Sequence, residues 1–454
     1  METLTVNPFS EAGILRWLER NSLLQAVECF HDGCCKIDQT RERTGIGCLD
    51  SMLCAATPEL WIGYGLSCML KQQRVWFASP RWKETEWAQV VQKVHPHLAL
   101  GESVPLKTFT GIPGSSPSAD PGVMIPTGGS SGDIKFAWHT IDTMAAAVDG
   151  VCRFFLGREM QQGDFGYRCD LPLWHISGWM QLMRAYLSDS TWEMNEESPP
   201  PISTTGYRWL SLVPTQLARI LESSSIDMLR KADFVIIGGG ACPVSLLRKA
   251  MRYGIAPWVT YGMTETAGMI AGKQIRNDRD LEVGASIFPH YEIAVDAPRG
   301  ESGEILLRSR SLCLGYNGRR FPRDDWFLTG DLGSLTANHC LHMQGRMDSI
   351  LNTGGEKVLP AEVQEIVGMY PAVADCRVVG VPDAEWGTKI ACVYTTVDGK
   401  PLDPAMLKQR VSAKLSSYKI PKIWQHVKSI PYDAKGKITT SALIKLITGD
   451  AEKS

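Results

Sequence analysis

Apolar positions along the chain alternate between two spacings. Short continuous apolar runs, Trp209–Val213 and Phe234–Ile237, read as buried strands, whereas Gln216–Leu221 and Ser245–Met251 carry apolar residues at helical spacing. Alternation of this kind from Ala145 to Leu307 predicts an α/β fold with parallel sheet layered by helices. The first hundred residues mix helix-like and strand-like patches, Ile14–Val27 and Gln73–Ser79 among them. Leu106–Asp120 is polar and rich in Gly, Pro and Ser and reads as a loop. A short apolar lead, Val123-Met124-Ile125, then enters a glycine- and hydroxyl-rich stretch.

The pattern changes near Met347. Pro360 with Ala361–Met369 predicts a helix with proline in its first turn, Arg377–Val381 and Ile390–Thr396 predict strands, and Pro404–Leu415 a further helix. The chain is thus expected to divide into a large domain of layered sheets and helices, residues 1–346, and a small mobile α+β domain, residues 347–454.

Composition narrows the class. The 454 residues are 44% apolar and 21% charged, with a formal net charge of −2, which gives no general attraction to nucleic acid or acidic lipid. The 13 cysteines are odd in number and contain no C-x-x-C pair, so free thiols in a reducing compartment are expected rather than a disulfide framework or zinc site. No apolar signal core follows the N-terminus, and no apolar run is long enough to span a bilayer; the expected location is cytoplasmic.

Candidate chemistry begins at Thr127-Gly128-Gly129-Ser130-Ser131-Gly132, followed by Asp133, Ile134 and Lys135. Glycines let backbone N–H groups turn inward around phosphate oxygens, the hydroxyls add donors, and Lys135 adds charge. A Gly/Ser surface turn is the alternative, and the spacing differs from a P-loop because no Lys-Ser or Lys-Thr follows Gly132. In Tyr261-Gly262-Met263-Thr264-Glu265-Thr266, a hydroxyl beside a carboxylate can hold a phosphate together with its Mg2+, or merely start a helix. Asp331, behind Gly330, and Arg346 can meet the hydroxyls of a ribose. Near the C-terminus, Lys437 sits in Asp433-Ala434-Lys435-Gly436-Lys437, a segment able to swing a cation toward charge developing on a phosphate. Gly239 and Gly240 close the strand Phe234–Ile237, where ligands of such sheets bind.

These five motifs, in this order, resemble the adenylate-forming superfamily of acyl-CoA synthetases, carrier-domain adenylation enzymes and firefly-type luciferases. The resemblance runs from Thr127, through His139 after the glycine loop, to Lys437, with one departure: Ile134 stands where the family usually has proline. It implies that Thr127–Lys135, Gly239, Gly240, Tyr261, Asp331 and Arg346 bind ATP. It further implies that Thr264, Glu265 and Lys437 act in catalysis, Glu265 as the metal ligand, and that Asp348 is the domain hinge. Gly354, Gly355 and Glu356 match the segment that lines the coenzyme A tunnel, and the absence of a carrier domain favours CoA as acceptor.

The acid is suggested by Leu171-Pro172-Leu173-Trp174-His175-Ile176-Ser177-Gly178 followed by Arg184. This spacing, with Leu210–Leu217 and Gly238-Gly239-Gly240, is similar to the 2-succinylbenzoate–CoA ligases of menaquinone and phylloquinone biosynthesis. The resemblance implies that Trp174, His175, Ser177, Arg184 and Thr215 bind the acid. Physics agrees at Arg184: an aromatic dicarboxylate keeps one charged carboxylate after the other is activated, and a buried arginine fork meets it. A different aryl- or acyl-CoA ligase and a non-catalytic nucleotide-binding protein are the alternatives; oligomeric state stays open.

Overall fold

The computed structural model describes residues 9–105, 120–128, 133–194, 206–298, 300–322, 325–431 and 439–448. Within these, two large sheets face a shared helical layer. The first has seven strands, ordered Arg319–Arg320, Gly315–Tyr316, Ile134–His139, Gly122–Gly128, Arg74–Phe77, Asp50–Leu53 and Leu98–Leu100. The second has eleven strands. Its parallel part runs through Thr191–Glu193, Phe165–Cys169, Tyr207–Leu212, Phe234–Ile237 and Trp258–Met263. From Trp258–Met263 onward it becomes antiparallel, through Gly268–Gln274 to Phe327–Leu335 and Cys340–Arg346. The expected parallel sheet is therefore the half of a mixed sheet that feeds the site.

Helices Pro58–Leu70 and Ile176–Leu187 lie between the sheets. Both are buried almost all round, as the central layer of a sandwich must be. Trp179 of the second helix packs edge-on against Phe77 of the first sheet at 4.8 Å. It also crosses Gly65 so closely that a Cβ there would lie 2.5 Å from its ring, so only glycine permits this contact. The helix-like stretch Ile14–Val27 divides into Glu11–Arg20 and Leu24–Thr44, because the chain turns back through Ser22 at φ +57°. No helix among the described residues is long and apolar enough to cross a membrane.

Beyond Arg346 the chain builds cores of its own. Val358, Val363, Val367, Val378, Cys392 and Leu407 pack together inside a three-stranded sheet and its helices. The sheet pairs Val373–Asp383 antiparallel with Gly387–Thr396, which pairs in parallel with Ile423–His426. Contact with the larger part includes Arg248, which donates to the Met369 carbonyl at 3.3 Å, and Ser245, which donates to that of Ala374.

Candidate active site

The two ends of the glycine stretch lie on paired antiparallel strands, Gly122–Gly128 and Ile134–His139. Thr127 pairs with Lys135 and Gly128 with Ile134, while Val123, Met124 and Ile125 are buried below. Gly129, Ser130, Ser131 and Gly132 lie outside the described residues, as does Lys437. Lys135 is exposed, with its ammonium 5.5 Å from the centre of the Tyr316 ring. Tyr316 is reached through strand register: the two-residue strand Gly315–Tyr316 pairs with Ala137, just beyond Lys135 on its strand. Its hydroxyl donates to Oε1 of Glu265 at 2.6 Å.

Glu265 occupies a 3-10 turn, Thr264–Thr266, at the end of strand Trp258–Met263. It is 8% exposed, and among the described residues no cation forms an ion pair with it. A buried carboxylate without a cation is costly unless a ligand supplies one. Glu265 beside the Thr264 hydroxyl offers the hard oxygen donors that Mg2+ takes, so the residues present fit that ion. Contacts to each of its carbonyls hold the turn, with the Tyr291 hydroxyl donating to that of Thr266 at 2.8 Å. The Cys313 N–H donates to the Glu265 carbonyl at 2.7 Å, and His139 Nε2 lies 2.8 Å from the Thr264 carbonyl. That carbonyl can only accept, so Nε2 carries the proton. Burial pushes the His139 imidazole down to about 4, keeping it neutral. Glycine is required at position 262, where a Cβ would lie 2.0 Å from the Gly268 carbonyl oxygen.

A second cluster gathers around Asp331, in the strand Phe327–Leu335 of the same sheet. Asp331, 6% exposed, accepts from the Tyr261 hydroxyl at 2.7 Å and from Arg346 at 3.0 Å. Burial pushes its carboxyl above the usual range, against the pull of those donors. Each oxygen retains a lone pair, leaving room for sugar hydroxyls. Asp348, in the 3-10 turn Met347–Ser349, reaches Arg346 at 3.5 Å. Gly239 and Gly240 are exposed at the carboxyl end of Phe234–Ile237, Gly239 at φ +79°. Gly239 adjoins Val213, just past the strand Tyr207–Leu212, and the preceding Gly238 adjoins Thr260 of the next strand. Parallel strand ends thus bring the glycines, Tyr261, Thr264 and Glu265 to one edge.

The acid-binding candidates separate. His175 is the N-cap of Ile176–Leu187, Ser177 lies in its first turn, and Trp174 sits 5.9 Å from Trp61 with its indole N–H buried and unpartnered. Arg184, near the far end of the same helix, is 4% exposed. Its guanidinium lies 5.4 Å from the Trp209 ring and 6.0 Å from that of Tyr167. Its Nε has no hydrogen-bond partner, and among the described residues no carboxylate pairs with it. Burial pushes its pKa down from the ordinary arginine value. Thr215 instead lines a groove of about 410 Å³ shared with Ala374, Asp375 and Arg377. Gly354, Gly355 and Glu356 form the exposed tip of hairpin Leu351–Val358, with Gly354 against the Trp386 ring.

Comparison with known proteins gives the family and the fold. The family profile described as AMP-binding enzyme matches residues 70–317, and that of the AMP-binding enzyme C-terminal domain matches residues 362–437. The chain is 31% identical over 331 residues to the 2-succinylbenzoate–CoA ligase of Salmonella typhimurium, covering 70% of this chain and 68% of that one. With the namesake of Listeria innocua it shares 30% over 290 residues, covering 61% of this chain and 60% of the relative. Among solved structures, o-succinylbenzoate CoA synthetase from Bacillus subtilis, in complex with the acyl-adenylate intermediate, superposes with a TM-score of 0.71. The alignment covers 94% of this chain and 93% of that one at 19% identity, a likeness of fold.

Proposed function

The chain belongs to the AMP-binding enzymes, and from that premise we propose that it is an ATP-dependent acid–CoA ligase acting on 2-succinylbenzoate. Its products are 2-succinylbenzoyl-CoA, AMP and pyrophosphate. The observation that carries the choice of acid is Arg184: a buried guanidinium with no carboxylate beside it among the described residues calls for one from the substrate. Trp174 and His175, just before and at the N-cap of the same helix, are candidates for the aromatic part of the acid, with Ser177 and Thr215 as the remaining acid-binding candidates.

In the first half-reaction the residues Thr127–Lys135 hold the phosphates of ATP, while Gly239, Gly240, Tyr261, Asp331 and Arg346 hold its nucleoside. Mg2+ held by Glu265 and Thr264 would draw charge from the phosphate oxygens. The aliphatic carboxylate attacks the α-phosphorus, a P–O bond forms, and pyrophosphate leaves. Lys437 offsets the negative charge that builds on the α-phosphate. In the second half-reaction the part of the chain from residue 347 onward turns about Asp348. Lys437 leaves, and the Gly354–Glu356 tip approaches; its exposure leaves it available for that role. The CoA thiolate attacks the acyl carbon and AMP departs. The 13 free thiols and the need for ATP and CoA support a cytosolic reaction, and the likeness to 2-succinylbenzoate–CoA ligases supports a menaquinone or phylloquinone pathway.

Incubation with 2-succinylbenzoate, MgATP and CoA tests this reading by mass spectrometry of the thioester against AMP formed. Equimolar thioester and AMP are expected. AMP without thioester sinks the CoA assignment, and neither product sinks the choice of acid.

A further inference from the structure

Tyr316 is the one side chain, among the described residues, seen against both Lys135 and Glu265, the cation and the anion of the proposed MgATP site. Its backbone is fixed by three contacts along one strand, Ile134–His139. Strand register pairs it with Ala137, Asn317 N–H donates to the Phe136 carbonyl at 2.9 Å, and Leu314 N–H donates to that of Trp138 at 2.7 Å. Phe321 closes edge-on against its ring at 5.1 Å. The preceding Gly315 cannot be replaced without a clash, since a Cβ there would lie 1.8 Å from the Arg319 carbonyl oxygen. A tyrosine held this firmly presents its hydroxyl at one place.

That place is Oε1 of Glu265, at 2.6 Å. Among the described residues Oε2 accepts no hydrogen bond. A carboxylate with one oxygen tied down and the other open is a monodentate ligand of fixed orientation, which suits the strict octahedral geometry of Mg2+. We infer that Tyr316 is a positioning residue that holds Glu265 as a one-oxygen ligand for the Mg2+ of MgATP and, through its ring face, steers the Lys135 ammonium over the same phosphates. The inference rests on the adenylation reading and is independent of which acid is used.

The test is nucleotide binding without turnover. ATP is titrated calorimetrically into the full chain with no acid present, once in excess Mg2+ and once in EDTA. Tyr316→Phe keeps the ring for Lys135 and Phe321 and removes only the hydroxyl. The ratio of the two dissociation constants is expected to fall by roughly tenfold in the variant, the scale of one hydrogen bond to a charged group, while binding in EDTA stays as in wild type. Tyr316→His, which keeps a donor, is expected to recover part of the ratio. In a Glu265→Gln background, Tyr316→Phe is expected to change nothing further. An unchanged ratio in Tyr316→Phe, or equal weakening with and without Mg2+, overturns the inference. A wild type whose ATP binding ignores Mg2+ overturns the adenylation reading and the inference with it. Failure of 2-succinylbenzoate as substrate, with these ratios as expected, leaves the inference supported.

Discussion

The Tyr261 hydroxyl donates a 2.7 Å hydrogen bond to Oδ2 of Asp331, joining the end of one strand to the middle of another in the same sheet. Arg346 completes the arrangement at Oδ1, so the carboxylate is oriented before any nucleotide arrives. Preorientation of this kind spares ordering cost on binding. Asp331→Asn is expected to raise the KM for ATP by about tenfold to a hundredfold, the range for losing charge-assisted bonds, and to leave the KM for the acid unchanged. Steady-state kinetics with each substrate varied separately checks it; equal rises in both KM values would assign Asp331 a general structural role.

His139 predicts a pH dependence. Its folded pKa, about 4, lies below the ordinary 6.5, so in the window between them the unfolded chain binds a proton that the folded chain refuses. The stability this provides is complete above pH 6.5 and is lost as pH falls toward 4, by about 3 kcal/mol across the window. His290 is shifted to about 4 by burial as well and adds in the same direction. Thermal unfolding from pH 7 to 4.5 should show Tm falling, and His139→Gln should flatten that fall. A parallel decline in wild type and variant would deny His139 this role.

Arg184 joins substrate choice to stability. A buried cation that meets no carboxylate among the described residues destabilises the free protein, partly offset by the Trp209 and Tyr167 rings. Arg184→Met, of similar length, should therefore unfold at the same or a higher temperature than wild type. Its KM for 2-succinylbenzoate should rise at least about tenfold while the KM for ATP holds. A variant that is markedly less stable, or that keeps its KM for the acid, would move the spectator carboxylate elsewhere.

Lys437 predicts a split between half-reactions. Lys437→Ala should reduce acid-dependent pyrophosphate release by about a hundredfold or more, the scale of losing one stabilising donor at a developing oxyanion, while CoA transfer from synthetic acyl-adenylate continues. Rapid-quench assays of each step separate the two, and equal losses would contradict a role confined to adenylation.

Much of the fold was legible because local pattern and burial agree. Phe234–Ile237 is a strand over the expected residues, and Pro360 starts its helix as proline in a first turn does. The strand expected to include Val213 stops at Leu212, since Pro214 opens a helix and Val213 caps it. Tyr316 went unread for a different reason. Its relation to Glu265 arises from the register of a two-residue strand on a distant one, and nothing in Cys313-Leu314-Gly315-Tyr316 marks it as chemistry. The sequence likewise pointed to Arg184 by charge and spacing, but its enclosure by Trp209 and Tyr167 is a property of strand pairing alone.

The most direct measurement is ATP–pyrophosphate exchange driven by a single acid without CoA, comparing 2-succinylbenzoate, benzoate and a medium-chain fatty acid. The account predicts exchange with 2-succinylbenzoate at a kcat/KM at least about a hundredfold above either of the others, the discrimination a buried charge partner can supply. Exchange supported equally or better by benzoate or the fatty acid would contradict it.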